Sequence, residues 1–126
     1  ELYEKGVKYY NEMNYDLAVE YYSKAAELGH AVAQNALGDC FYLGDGVEKD
    51  YEQAVRWYIK AAEQGSAIAQ LNLGDCYANG QGVIQDYEKA AEWYRKASGQ
   101  EYEMANERLN NLGMGSVTGV SIYFLP

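Results

Sequence analysis

AVAQNALGDCFYLGDGVEKDYEQAVRWYIKAAEQGS at residues 31–66 and AIAQLNLGDCYANGQGVIQDYEKAAEWYRKASGQEY at residues 67–102 are two copies of one 36-residue segment. The same residue stands at 19 of the 36 aligned positions. Tandem repeats of this length are typical of solenoids, in which each unit buries its apolar face only against its neighbours. Because such solenoids usually bind other proteins, the repeat predicts a class of function but no particular partner.

Each copy has the pattern of a helical hairpin. Apolar residues at helical spacing predict first helices over residues 31–43 and 67–79. Gly44 and Gly80 follow these helices, and glycine readily adopts the left-handed backbone at which helices end. The spacing therefore predicts that each first helix ends at a glycine loop.

Aspartates mark the start of the second helices. Asp50 and Asp86 each precede a second apolar stripe, and aspartate is a preferred N-cap residue. Trp57 and Trp93 recur in register with the alanines of this stripe, so we expect both tryptophans in the core. Residues 2–29 contain the same second helix one period earlier, after a turn that is four residues shorter.

The end of the chain departs from the repeat. Residues 101–113 have one apolar and one polar face, which is what the capping helix of a repeat array requires. Residues 114–126 carry no charge and are apolar and β-prone, so we expect a tail that is extended or disordered, with docking onto the array left open. The chain thus divides into an array over residues 1–113 and a tail. It begins at Glu1 without Met, which we interpret as a trimmed N-terminus.

Charge and composition exclude several kinds of partner. The formal net charge is −9 and no run of Lys or Arg occurs, whereas nucleic acids and anionic membranes require clustered cations. No apolar stretch is long enough to predict membrane insertion. An acidic surface instead attracts basic partners. Tyrosine is unusually abundant, with 14 Tyr against two Phe, and it suits both thin cores and binding surfaces.

No catalytic, metal-binding or cofactor-binding residue is predicted, and no cofactor. Cys40 and Cys76 lie one period apart, roughly 9–10 Å in stacked helices, whereas a disulfide needs Cα atoms within about 7 Å. We therefore expect two buried free thiols. His30, the single histidine, is almost three helical turns from Cys40, too far for a nucleophile–base pair. Asp39 and Asp75 are also one repeat apart, with no sign of a shared catalytic pocket.

The residues shared by the two copies match a known repeat pattern, A-x-x-x-L-G-x-x-Y-x-x-G-x-G-V-x-x-D-Y-x-x-A-x-x-W-Y-x-K-A. The first copy meets it with Ala33, Leu37, Gly38, Phe41 (for Tyr), Gly44, Gly46, Val47, Asp50, Tyr51, Ala54, Trp57, Tyr58, Lys60 and Ala61. The second copy meets it with Ala69, Leu73, Gly74, Tyr77, Gly80, Gly82, Val83, Asp86, Tyr87, Ala90, Trp93, Tyr94, Lys96 and Ala97. These repeats resemble the Sel-one-like repeat (SLR), a long-loop relative of the tetratricopeptide repeat (TPR).

The resemblance covers residues 2 to about 112, and residues 2–29 are more similar to an ordinary TPR. It implies an all-α fold, namely a right-handed α/α superhelical solenoid of three helical hairpins (residues 2–29, 31–65 and 67–99) plus a C-terminal capping helix. It also implies an adaptor or scaffold role in protein complexes and no enzymatic activity. Family members work in several compartments, so both the cytoplasm and a bacterial envelope or secretory compartment remain open.

The resemblance also indicates a binding surface. In TPR-like stacks the first helices line a concave groove, and the family's geometry places ten residues there: Tyr3, Val7, Tyr10, Asn35, Asp39, Tyr42, Leu71, Asp75, Ala78 and Asn79. The tyrosines would supply contact area and the asparagines hydrogen bonds to an extended peptide. Asp39 and Asp75 favour a Lys or Arg on the ligand. Alternatively, the aspartates only solvate the groove and Tyr10 and Tyr42 pack locally.

Two functions fit these observations. The chain is either a module that binds a peptide or partner segment in its groove, or a structural spacer within a longer array. In the second case it would self-associate through its end faces or its 114–126 tail.

Overall fold

Helix start and stop signals divide the chain into short helices joined by tight turns. The computed structural model describes residues 1–99 and 103–113, and within these ranges every regular element is an α-helix. The helices are α1 (Leu2–Asn11), α2 (Tyr15–Glu27), α3 (Ala31–Leu43), α4 (Tyr51–Glu63), α5 (Ala67–Asn79), α6 (Tyr87–Ser98) and α7 (Glu103–Asn111). The first six form three hairpins and α7 packs on α6, so each helix packs mainly against its neighbours in the chain. The predicted all-α solenoid is confirmed, whereas the predicted tail lies outside the described residues.

Side-chain caps begin the helices of the second and third hairpins. Asp50 and Asp86 each accept a hydrogen bond from the backbone N–H three residues on, at 3.1 and 3.0 Å, so the predicted N-caps are confirmed. Nδ1 of His30 accepts from the N–H of Ala33 at 3.1 Å, and Ser66 caps α5 in the same way one repeat later. His30 is therefore a helix cap, because its ring nitrogen is directed at the start of α3.

Glycine loops join the helices of these two hairpins. The helix before each loop ends at a glycine with left-handed backbone, as predicted, with φ of 78° at Gly44 and 67° at Gly80. The next glycine of the first loop, Gly46, approaches the preceding hairpin so closely that a Cβ there would overlap the carbonyl group of Tyr15. Gly82 packs in the same way one repeat later. The second glycine of each loop is thus required by contact between repeats.

A glycine on the first helix lies against a tyrosine ring of the second helix in every hairpin. A Cβ on Gly38 of α3 would lie 2.7 Å from Cδ1 of Tyr58 on α4, far inside normal contact. The three pairs are Gly6–Tyr22, Gly38–Tyr58 and Gly74–Tyr94. All three tyrosines are buried, so the glycine acts as the flat surface on which the ring packs.

The two tryptophans are not core residues, contrary to the sequence-based expectation. Trp57 and Trp93 are half-buried at the edges of apolar clusters, and the ammonium groups of Lys60 and Lys96 lie over their rings at 5.6 and 4.3 Å. The following residue in each repeat, such as Tyr58, is the buried aromatic one. One residue step turns a helix by about 100°, so the centre of the buried stripe lies closer to the tyrosine.

Substitution of Gly38 tests the close packing of the hairpins. In an ordinary helix, Gly→Ala stabilises by about 0.5–1 kcal/mol. Here we expect Gly38→Ala to destabilise by about 1–3 kcal/mol because the new methyl group would overlap the Tyr58 ring. We expect Gly38→Leu to abolish cooperative folding.

Circular dichroism melts measure both effects. Arg56→Leu adds the same side chain at an exposed position of α4 and should change stability by less than about 0.5 kcal/mol. A wild-type melt for Gly38→Leu would contradict the proposed contact.

Candidate binding groove

A cavity of about 300 Å³ opens between the first helices of the second and third hairpins, and we call it the groove cavity. Its lining residues come from α3, α4 and α5: Asp39, Tyr42, Leu43, Tyr58, Asn72 and Asp75. Three of the ten predicted groove residues, Asp39, Tyr42 and Asp75, are therefore brought together. Two carboxylates, two phenols and one amide line the cavity, and the carboxylates make it acidic.

Asp39 is one of the two half-buried carboxylates of this cavity. The hydroxyl of Tyr58 donates a hydrogen bond to Oδ1 of Asp39 at 2.5 Å, which orients the carboxylate. Burial raises the pKa of Asp39 above its ordinary value of 3.8, and the hydrogen bond from Tyr58 partly offsets this effect. Burial and the neighbouring Asp39 also raise the pKa of Tyr58, so its hydroxyl stays protonated. Among residues 1–99 and 103–113, no cation forms a salt bridge with Asp39.

Asp75 has the same tyrosine partner and also a cation. The hydroxyl of Tyr94 donates to Oδ1 of Asp75. Arg108 of α7 donates from Nε to Oδ1 at 2.9 Å and from Nη2 to Oδ2 at 3.3 Å. The hydrogen bond to Asp75 raises the pKa of Arg108 further above its ordinary range. The prediction is that both aspartates bind a basic residue of a ligand. For Asp75 this is wrong, because Arg108 of the chain itself already neutralises its carboxylate.

Two predicted groove tyrosines join successive repeats. The hydroxyl of Tyr10 donates to Oδ2 of Asp45 at 2.6 Å, and that of Tyr42 donates to Oε1 of Gln81 at 2.7 Å. Asp45 and Gln81 are the middle residues of the two glycine loops, one period apart. Each hydrogen bond therefore ties a first helix to the loop of the next hairpin. Both hydroxyls thus bind within the chain itself, and Tyr42 also lines the groove cavity.

The other two predicted groove residues of α1, Tyr3 and Val7, pack against the apolar cluster around Tyr22. The Tyr3 ring stacks on His30, with ring centroids 5.1 Å apart, and on Tyr22 at 5.8 Å. Val7 is a half-buried member of the apolar cluster around Tyr22. Neither residue lines the groove cavity. The ten predicted groove residues therefore lie at several separate places along the array.

The predicted groove residues at the start of the other first helices are buried. Leu71 is 2 % exposed and packs with Ala105 and Leu109 of α7, so it offers no surface to a partner. Asn35, at the same position one repeat earlier, is 6 % exposed and accepts a hydrogen bond from Asn72 at 3.0 Å. The prediction is wrong for both side chains as exposed groove contacts, because the next first helix in the stack covers this position.

The remaining predicted residues lie at the end of α5. Ala78 is half-buried against the cluster that contains Leu71, and Asn79 is exposed. Sequence reasoning missed Leu43, Tyr58 and Asn72 as lining residues. A usable signal existed for Tyr58, because Asp39 and Tyr58 recur together one period later as Asp75 and Tyr94.

The two cysteines among the described residues are poor nucleophiles. Cys40 and Cys76 are buried free thiols, as predicted. Burial, together with nearby acidic groups, raises the pKa of each from 9.0 to about 12. Within residues 1–99 and 103–113, no three His, Cys, Asp or Glu side chains converge as metal ligands, and no helix is long and apolar enough to cross a membrane.

Comparison with known proteins assigns the family. The sequence model of the Sel1 repeat matches residues 1–30, 31–66 and 67–102, and the chain therefore belongs to the Sel1 repeat family. The first unit, for which we expect a closer similarity to a TPR, is matched by the same model as the other two. Sel1 repeats are generally non-enzymatic modules for protein–protein interaction. No curated protein matches the sequence.

Solved structures with the same fold support this assignment. A Sel1 repeat protein from Oxalobacter formigenes is 37 % identical with a TM-score of 0.83, over 90 % of this chain and 48 % of its own. A protective antigen of uropathogenic Escherichia coli strains, which displays an SLR fold, is 38 % identical with a TM-score of 0.83, over 91 % of this chain and 26 % of its own. Helicobacter pylori cysteine rich protein B is 32 % identical with a TM-score of 0.69, over 73 % and 69 %. The chain thus spans about half of the first relative and a quarter of the second.

The raised pKa of Asp39 predicts a pH effect on stability. The folded protein holds this proton more tightly than the unfolded chain does, so the group contributes stability below about pH 3.8 that is lost as the pH rises through the folded pKa. The stability of Asp39→Asn relative to wild type should therefore be highest at neutral pH. This difference in stability should shrink as the pH falls towards 3.8.

Thermal melts of wild type and Asp39→Asn from pH 7 to pH 4 measure this difference. Glu48→Gln removes one exposed negative charge and serves as the charge control. If the stability of Asp39→Asn relative to wild type instead increased on acidification, the pKa of Asp39 would not be raised in the folded protein.

The cysteines provide a second test. A pKa raised from 9.0 to about 12 leaves about a thousandfold less thiolate at neutral pH, so neither thiol should react with a disulfide reagent in the folded protein. Both should react at once in denaturant. Asn79→Cys places a thiol at an exposed position and should add one rapidly reacting group. Rapid labelling of native wild type would refute the burial of both thiols.

Proposed function

We propose that this chain binds an extended segment of a partner protein in the concave groove formed by α1, α3 and α5, and so acts as a non-catalytic adaptor. The segment places a basic residue against Asp39. The observation that carries this proposal is the carboxylate of Asp39, which lies in a cavity of about 300 Å³, oriented by Tyr58 and without a salt bridge among the described residues.

The energetics of the site favour a cationic ligand. Burial disfavours the charged form of Asp39, and a cation close to the carboxylate would restore the lost electrostatic stabilisation. Tyr42 and Asn72 line the same cavity from α3 and α5 and carry polar groups that can contact the main chain of a peptide. The net charge of −9 supports attraction of a basic segment from a distance.

A second function, self-association as a spacer in a longer assembly, is favoured by one surface. A cavity of about 440 Å³ lies where α1 begins and α2 ends, with Leu2, Tyr3 and Leu28 among its lining residues. Leu28 is 79 % exposed. End-to-end stacking of two arrays would bury this apolar face.

A displayed library of random 12-residue peptides tests the first function. Panning against wild type should enrich basic peptides of micromolar affinity, and Asp39→Lys should reduce that affinity at least tenfold, about 1.4 kcal/mol. Glu48→Lys makes the same charge change at an exposed loop position and should change affinity less than about twofold. Asp39→Asn, which conserves shape, separates loss of charge from misfolding.

Peptides that ignore Asp39 would contradict the groove proposal. If wild type also sediments as an oligomer that Leu28→Glu dissociates, the spacer function is favoured instead.

A further inference from the structure

The first helices of successive repeats meet at one equivalent position. Ala36, Asn72 and Arg108 lie 36 residues apart, on α3, α5 and α7. Arg108 contacts Asp75 of the preceding first helix. Asn72 likewise shares the groove cavity with Asp39, the residue one period before Asp75. The chain therefore contains two copies of the same aspartate site, with a different residue facing each.

The site at Asp75 shows what such a carboxylate binds. Its tyrosine, Tyr94, holds one oxygen, and the guanidinium of Arg108 approaches side-on with Nε on Oδ1 and Nη2 on Oδ2. The pair is only partly exposed, at 27 % for the Asp75 side chain and 32 % for that of Arg108. Planar, two-point contact of this kind is particular to arginine, because an ammonium group is a single point charge.

The site at Asp39 has the same tyrosine and carboxylate, but no cation from the described part of the chain pairs with it. Tyr58 donates to Asp39 as Tyr94 donates to Asp75, and the two distances are equal at 2.5 Å. The facing residue is Asn72, whose amide nitrogen donates to Asn35 instead. An asparagine side chain is also too short to span the position that a guanidinium occupies one repeat later.

We propose that Asp39 binds an arginine of the partner segment, in the arrangement that Arg108 adopts on Asp75. The residue at position 72 then determines specificity: an asparagine leaves the carboxylate accessible to a partner, whereas the equivalent arginine at position 108 occupies it within the chain. The half-buried phenol ring of Tyr42 lines the same cavity and supplies a π face for the guanidinium. This inference rests on the proposed groove function and names the residue type that the groove selects.

The first experiment needs no ligand. Asn72→Arg should pair with Asp39 as Arg108 pairs with Asp75, and should raise the melting temperature by about 2–4 °C. In a double-mutant cycle, Asp39→Asn should remove most of this rise. Asn72→Lys is the matched control and should give less than half of the rise in melting temperature that Asn72→Arg gives. A rise that is independent of Asp39, or no rise in a folded variant, would overturn the assigned geometry.

The second experiment uses synthetic nine-residue peptides on an array, with random flanks and a central arginine, lysine or citrulline. Central arginine should bind wild type about tenfold better than citrulline, which has the same shape without the charge, and about threefold better than lysine. Asn72→Arg should bind arginine peptides with at least about tenfold lower affinity, because its own side chain competes for Asp39.

The outcomes separate this inference from the function on which it rests. Asp39-dependent binding with lysine equal to or better than arginine overturns the arginine assignment and leaves the groove function standing. Binding that survives in Asn72→Arg likewise overturns only the role of position 72. Absence of binding by all three peptide sets overturns both.

Discussion

The contact between a glycine of the first helix and a tyrosine ring of the second is the constraint on which the hairpins depend. Because glycine has no Cβ, the ring of Tyr58 lies directly on α3 at Gly38, and the two helices approach more closely than any larger residue would allow. The same contact directs the tyrosine hydroxyl past the glycine to the next residue of the first helix, Asp39. Packing within the hairpin thus positions a carboxylate on the surface where a partner could bind.

Small changes at repeated positions give each repeat a different surface. In the first hairpin Val7 stands where Asp39 stands in the second, so Tyr22 packs in an apolar cluster without an acidic partner. Burial is the main cause that raises the pKa of Tyr22 to about 12, with smaller contributions from neighbouring groups. Across the three hairpins the shared frame therefore carries an apolar site, an accessible carboxylate and a carboxylate already paired with Arg108. The glycine–tyrosine pairs keep the packing of the two helices the same in each hairpin, while other residues on the first helix differ between repeats.

Much of the fold was predictable because its signals are local. Helix ends at Gly44 and helix starts at Asp50 need only the backbone preferences of one residue and its neighbours. The groove was less predictable. Leu71 was placed on the surface, although α7 covers it, and the exposure of a side chain depends on which helix packs over it. The tryptophans differ from expectation for a related reason, since the packing of neighbouring helices decides which side of an aromatic stripe faces inward.

The sequence by itself determined the repeat period, the helical hairpins, their turns and the acidic, tyrosine-rich composition. These properties follow from periodicity, local backbone preference and composition, which operate over a few residues or one repeat. Only the tertiary structure decided that Asp75 is neutralised and Asp39 is not, because Arg108 reaches Asp75 from 33 residues away in the chain. Contacts of that kind depend on how consecutive hairpins stack, and the same stacking distinguishes two aspartates that are equivalent in the sequence.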